Sequence, residues 1–331
     1  MNHPDATYRI LVTDGVDAVC AARLRARGLE PLERPELAPS ELAALLPDFD
    51  GLIVRSRTKV TAEVLAAGTR LKVVGRAGAG VDNIDLTAAT QKGVAVFNAA
   101  AANSISAAEH AFALMLALAR NIPQAYQSLA RGEWRRGDFK GAELYGKTLG
   151  IIGLGKIGRE LARRAQAFEM TVLAYDPLIP DTHFEQAGVQ KRELEPLLRH
   201  SDFVSIHVPL TAETRHLIGA PQFEVAKSTL RLINTSRGGI VDEAALAAAL
   251  RSGRIAGAAL DVFEHEPPGE SPLFGLPNFI GTPHLGASTA EAQTRVAEEI
   301  ARLVADFLLH ARTDGVVNPE VTEKWKQDLD T

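Results

Sequence analysis

Short apolar runs and helical stripes alternate along this chain twice over, and the alternation predicts two successive α/β units. Before residue 100, apolar runs at Ile10 to Val12, Leu52 to Val54, Val73 to Val74 and Val94 to Phe97 are separated by helical patterns such as Ala62 to Ala67. Strands buried on both faces read this way, so the first unit is expected to hold a parallel sheet. From Leu149 the pattern restarts, with strands expected near 149 to 153, 171 to 175, 203 to 206, 230 to 235, 256 to 261 and 279 to 281. Helices between them make this a six-stranded doubly wound sheet. A last helix opens on Ser288 and Glu291 as a capping box and carries Val296, Ile300, Leu303, Val304 and Phe307 on one face. It is long enough to return the chain to the first unit, which is then discontinuous, 1–102 with 286–331, around a second unit at 103–285.

The restart carries the most specific local signal. Thr148 to Ile152 is an apolar β-prone run, and Gly153, Gly155 and Gly158 follow it at G-x-G-x-x-G spacing. The first glycine turns the chain, the second admits a pyrophosphate, and the third lets helix pack on strand. The following segment places Ile157, Leu161, Ala165 and Phe168 on one face at helical spacing, so N–H groups at its N-terminus point at a bound pyrophosphate, and Lys156 and Ile157 join the three glycines as expected cofactor-binding residues. Asp176 closes the next strand, where a carboxylate accepts hydrogen bonds from ribose hydroxyls and repels a 2′-phosphate, which favours NAD over NADP. A second cluster, Gly78-Ala79-Gly80-Val81-Asp82-Asn83, has Asn83 where a third glycine belongs and is not read as a nucleotide site.

Composition narrows the partners. The chain has 331 residues, 46% of them hydrophobic and 23% charged, with a formal net charge of −5. That balance gives no general attraction to nucleic acid or to anionic lipid, so a small molecule is the expected partner, and anionic groups on it must be met by locally placed arginines. Cys20 is the single cysteine, and Met1-Asn2-His3-Pro4-Asp5 lacks the basic and apolar stretches of a signal peptide, so a cytoplasmic location is expected. The longest apolar helix candidate, Ala107 to Ala119, contains Glu109 and His110 and falls short of the ~20 residues a bilayer requires. It reads as a buried helix, and no membrane or metal is expected.

Hydride chemistry on an alcohol needs a group that holds the substrate, a group that exchanges the hydroxyl proton, and a group that tunes the latter. Arg237 follows the strand at 230 to 236, at the carboxyl edge where doubly wound sheets bind ligands, and its planar fork suits a carboxylate. Asp261 ends the next strand, Glu266 follows in Glu264-His265-Glu266-Pro267-Pro268, and His284 ends the strand after that. A carboxylate beside His284 would favour its imidazolium. On spacing alone, Glu266 is equally well an exposed loop glutamate.

Gly153-Leu-Gly-Lys-Ile-Gly158, Asn234-Thr-Ser-Arg237-Gly-Gly-Ile-Val-Asp-Glu243, Ala259-Leu-Asp261-Val-Phe-Glu-His-Glu266-Pro and Thr282-Pro-His284-Leu-Gly-Ala-Ser-Thr289 together resemble the D-isomer-specific 2-hydroxyacid dehydrogenases over nearly the whole chain. The resemblance implies an α/β fold of two doubly wound parallel-sheet domains: a Rossmann NAD-binding domain and a flavodoxin-like substrate domain. It implies that His284 is the acid/base, that Glu266 hydrogen-bonds it, that Arg237 holds the carboxylate and carbonyl of a 2-hydroxy or 2-keto acid, and that Asp261 orients the nicotinamide carboxamide.

The resemblance also implies that backbone N–H groups around Gly78, Ala79 and Gly80 hold the substrate carboxylate. Val54-Arg55-Ser56 and Gly75-Arg76 bring the chain nearest to members that oxidise D-3-phosphoglycerate, with Arg55, Arg76 and Asn103 at the distal phosphate. Reductases of glyoxylate, hydroxypyruvate or other 2-keto acids are the alternative, and an NAD-sensing binding protein is the reading from another class. Family members pair through a projecting segment, here residues 104–146 with Trp134, Arg135 and Arg136, so a homodimer is expected. Two departures stand out. Asn98-Ala-Ala-Ala-Ala-Asn103 lacks the usual proline at the crossing between domains, which is expected to alter the hinge, and the end at Thr331 leads us to expect neither the regulatory domains of longer relatives nor serine feedback.

Overall fold

The computed structural model describes residues 7–322, so the segment Met1-Asn2-His3-Pro4-Asp5 lies outside the described residues. The chain divides into two units, one formed by residues up to 103 with those from 287 on, the other by Ser104–Gly286.

The first unit holds β1 (Arg9–Thr13), β2 (Glu30–Arg34), β3 (Gly51–Val54), β4 (Val73–Arg76) and β5 (Ala95–Asn98) in the order β2-β1-β3-β4-β5. All neighbours are parallel, and this is the flavodoxin-like order. Strand β2 escaped the sequence reading because Glu-Pro-Leu-Glu-Arg is a half-exposed edge with no apolar run to mark it. The helix Ala290–His310 buries Val296, Ile300, Leu303, Val304 and Phe307 against this sheet. A Cβ on Gly75 of β4 would meet Ile300 at 2.8 Å and Val304 at 2.9 Å, so glycine there sets how closely the helix approaches. The expected capping box is corrected: Thr289, in extended backbone, is the N-cap, and its hydroxyl accepts from Ala292 N at 3.2 Å. The outer edge of β5 is covered by the segment after the helix, where Val317 N donates to Val96 O and Val96 N donates to Asn318 Oδ1.

The second unit holds β6 (Thr148–Ile152), β7 (Thr171–Tyr175), β8 (Gln190–Lys191), β9 (Phe203–Ile206), β10 (Arg231–Asn234), β11 (Gly257–Leu260) and β12 (Phe279–Gly281), ordered β12-β11-β10-β9-β6-β7-β8. The six-stranded expectation becomes seven, because β8 is two exposed polar residues that no hydrophobic pattern can reveal. The strand order reverses between β6 and β9, and ligands of doubly wound sheets bind beside that reversal, beyond the carboxyl ends. Helix Ser104–Arg120 packs along β10, β11 and β12 with most of its length buried. Helix Lys156–Ala167 buries Leu161 and Ala165 as expected, but Phe168 is its C-cap and lies exposed, edge-on to Phe112. Among the described residues, no helix is long and apolar enough to cross a membrane.

Candidate active site

The turn after β6 is built as its glycines require. Gly153 has φ +93°, a conformation that L side chains rarely adopt, and a Cβ there would lie 2.8 Å from the carbonyl of His207. A Cβ on Gly158 would fall 2.3 Å from Gly153 O, so the third glycine permits helix–strand contact. Gly155, the N-cap of helix Lys156–Ala167, faces open space, and the N–H groups of the first turn have no acceptor within the helix. That combination of an unfilled cradle and free helix-terminal donors fits a dinucleotide pyrophosphate. Asp176 follows β7 directly and accepts from Leu154 N at 2.9 Å and Leu178 N at 3.0 Å, which fixes its carboxylate while each oxygen keeps acceptor capacity.

Two buried polar atoms beyond the carboxyl ends of β9 and β10, His207 Nδ1 and Thr235 Oγ1, have no hydrogen-bond partner. Unsatisfied groups clustered at such an edge are another mark of a ligand crevice. The His207 ring contacts Ser205 Oγ at 2.9 Å through Nε2, and burial pushes its pKa down to about 4.

At the end of β10, buried Asn234 folds the chain back on itself: its amide donates to Arg237 O and its carbonyl accepts from Ser236 N and Oγ. Arg237 Nη1 donates to Ser236 O at 2.6 Å. A Cβ on Gly238 would lie 1.8 Å from Phe263 O, so the loops after β10 and β11 meet backbone to backbone. This sets Arg237 near Glu266.

His284 lies three residues beyond β12 rather than at its end, with φ 55°, in the left-handed region that non-glycine residues disfavour. Its Nδ1 is 2.7 Å from Glu266 Oε2, and Glu266 Oε1 accepts from Phe263 N at 3.2 Å. Burial alone would raise the Glu266 pKa, but the His284 hydrogen bond and charge, Phe263 N and the Arg237 charge outweigh it and hold the carboxyl below its usual range. An apolar cavity of about 440 Å³, walled by Phe263, Pro267, Phe274 and Pro283, borders the pair.

Asp261 follows β11 and has no exposed surface. Its Oδ1 accepts from Thr282 Oγ1 at 2.6 Å and Leu285 N at 2.7 Å, and its Oδ2 accepts from Gly286 N at 2.8 Å. Expected at a nicotinamide carboxamide, the carboxylate instead serves the His284 loop in this conformation and is closed off from solvent, although Oδ2 keeps an unused lone pair. His110 Nε2 also approaches Oδ1, at 3.1 Å. The sequence marked His110 only as an interruption of an apolar helix, and that interruption was the available signal.

In the first unit, Val54↔Arg76 pairing brings Arg55 and Arg76 to the same sheet edge. Asp14 accepts from Arg55 N and Thr58 N, and Asn83 donates to Arg55 O and Thr58 O, so Asn83 organises a loop. Gly78 has φ +149°, and Arg76 Nη1 occupies the place its Cβ would take. Ala79 O accepts from the Asn98 amide. Asn103 is buried with its Oδ1 unpartnered. Among the described residues, no group of three His, Cys, Asp or Glu is placed to hold a metal.

Residues 112–286 match the family described as D-isomer specific 2-hydroxyacid dehydrogenase, NAD binding domain. The chain belongs to the D-isomer specific 2-hydroxyacid dehydrogenases. It is 50% identical over 312 residues to D-3-phosphoglycerate dehydrogenase of Rattus norvegicus, a match spanning 94% of this chain and 58% of that protein. The chain thus spans somewhat over half the length of the curated relatives it matches. Among solved structures of the family, it resembles a glyoxylate reductase from Paecilomyes thermophila at TM-score 0.85 and 30% identity, over 94% of this chain and 98% of that one. It also resembles D-lactate dehydrogenase from Aquifex aeolicus complexed with NAD and lactic acid, at TM-score 0.80 and 30% identity, over 93% and 99%. The glycine turn, its helix and Asp176 are therefore parts of a family NAD-binding domain, and NAD is the cofactor.

Proposed function

We propose that this member of the family oxidises D-3-phosphoglycerate to 3-phosphohydroxypyruvate, a step of serine biosynthesis, with His284 as the proton acceptor. The observation that carries the reading is the 2.7 Å contact between His284 Nδ1 and Glu266 Oε2. An ionised Glu266 only accepts, so Nδ1 carries the hydrogen of that bond and Nε2 presents a lone pair to the C2 hydroxyl. As the proton arrives, the imidazolium forms against an anion that is already in place. Arg237 would hold the substrate carboxylate and C2 oxygen. Bound NAD supplies the hydride acceptor. Gly153, Gly155, Lys156, Ile157 and Gly158 would hold its pyrophosphate, Asp176 its ribose, and the remaining capacity of Asp261 its carboxamide.

In the first unit, which we read as the substrate domain, the N–H groups of Gly78, Ala79 and Gly80 are assigned to the substrate carboxylate, and Arg55, Arg76 and Asn103 to the phosphate. Identity to a named D-3-phosphoglycerate dehydrogenase supports that substrate. A smaller 2-keto acid is the second reading, supported by the near-complete structural match to a glyoxylate reductase. NADH formation across D-2-hydroxy acids with and without a 3-phosphate tests the choice, and a preference for the unphosphorylated acids would overturn the first reading.

Exposed Ile122, Tyr126 and Leu129 on the helix Ile122–Ala130, with exposed Trp134 beyond it, support a homodimer formed through the segment 104–146. Light scattering on the full chain tests this. A cytoplasmic location is our reading from the lone thiol Cys20.

A further inference from the structure

His110 sits on the helix Ser104–Arg120 with one-fifth of its side chain exposed, and its Nε2 lies 3.1 Å from both Asp261 Oδ1 and Thr282 Oγ1. The Thr282 hydroxyl spends its only proton on Asp261 Oδ1 at 2.6 Å. Nε2 therefore faces two oxygens with no proton to offer, and must itself carry hydrogen. The same Asp261 oxygen accepts from Leu285 N, and its neighbour accepts from Gly286 N. Donors on both sides of His284 thus converge on one buried carboxylate, while His284 N donates to the Asp261 carbonyl at 2.8 Å. This matters because His284 holds a left-handed backbone, which persists only where the surroundings over-determine it.

We propose that His110 is a positioning residue for His284, its Nε2–H locking Asp261 and Thr282 so that the loop 282–286 keeps the acid/base in its working conformation. The proposal rests on the acid/base role proposed for His284. Glu266 orients the ring through Nδ1, whereas His110 acts on the backbone that carries the ring, so the two act on different degrees of freedom. Removing His110 takes one donor from a desolvated carboxylate that keeps Thr282 Oγ1, Leu285 N and Gly286 N, which loosens the loop without touching the glycine turn at Gly153 to Gly158.

The test uses the full chain with His110→Leu, which keeps the volume, and His110→Gln, whose amide N–H can donate to the same oxygens. Amide hydrogen exchange at Leu285 and Gly286 is measured without cofactor, together with NAD binding and turnover of D-3-phosphoglycerate. In His110→Leu we expect exchange at the two amides about tenfold faster and kcat down about three- to tenfold. NAD affinity should stay within about twofold, and His110→Gln should recover most of both losses. Unchanged exchange in His110→Leu, or equal loss in the Leu and Gln variants, would overturn the proposal. So would a loss that appears only in NAD affinity. A His284→Ala enzyme of undiminished rate would instead remove the acid/base reading, and the exchange data would still report on the clamp.

Discussion

His284 Nδ1 and Glu266 Oε2 stand 2.7 Å apart, each on a loop that follows a strand of the same sheet. Replacing Glu266 by Gln keeps the shape and removes the charge. Turnover should fall and the pH–rate profile should shift, because the imidazolium that forms as the proton arrives loses the anion held beside it. His284→Ala should lower kcat by roughly 10² to 10⁴-fold with NAD affinity nearly unchanged. A profile of Glu266→Gln that overlays the wild type would remove Glu266 from the proton path.

Asp176 is pinned by Leu154 N and Leu178 N, so the carboxylate proposed to meet the ribose is fixed before a cofactor binds. Asp176→Ala should narrow the NAD over NADP preference, since it removes an acceptor for ribose hydroxyls and a charge that repels a 2′-phosphate. The ratio of kcat/KM for the two cofactors is the readout. An unaltered ratio would assign ribose recognition elsewhere.

Arg55 and Arg76 share one sheet edge, whereas Arg237 belongs to the other unit. If the first two meet a phosphate, replacing either with Ala should cost 3-phosphoglycerate about ten- to a hundredfold in kcat/KM while sparing unphosphorylated acids, because a charge-assisted hydrogen bond is worth about 1.5–3 kcal/mol. Arg237→Ala should harm every 2-hydroxy acid. Equal losses on both substrate classes at Arg55 and Arg76 would transfer the assignment to a small-acid reductase.

What the sequence disclosed followed from how much apolar surface each element buries. The central strands of both sheets and the helix Ala290–His310 announce themselves because burial dictates their residues, and the glycine turn because its backbone and close contacts exclude side chains. Strands β2 and β8 did not, since their side chains are largely wet and pairing alone defines them. His284 and Glu266 were legible by position but not by contact: their approach depends on how two loops fold back, as at Gly238 against Phe263 O. His110 reaches Asp261 across 151 positions of sequence, a distance no local pattern spans.

Burial of the His207 ring gives the protein a pH-dependent stability term of known sign. Its folded pKa of about 4 lies below the ordinary value of 6.5, so the unfolded chain binds the extra proton first. The contribution is fully present above pH 6.5 and is lost as pH falls through 4, amounting to about 3 kcal/mol. Denaturant unfolding of wild type and His207→Gln from pH 7 to pH 4 should show the wild type losing stability faster. Parallel curves would mean that the ring is hydrated in solution.

The strands that eluded the sequence reading also govern how this chain can meet its own copies. An open sheet edge is a template for further strands, and the outer strands here offer little to template. Strand β2 interrupts its donors with Pro31 among charged neighbours, β8 is two residues long and ends on Lys191, and β12 is three residues long. The remaining edge, β5, is already occupied by Val317 and Asn318. Strand-to-strand aggregation is thereby disfavoured at all four margins of the described sheets, which leaves a copy of the chain the helical surfaces, where side-chain shape rather than backbone hydrogen bonding would select the partner.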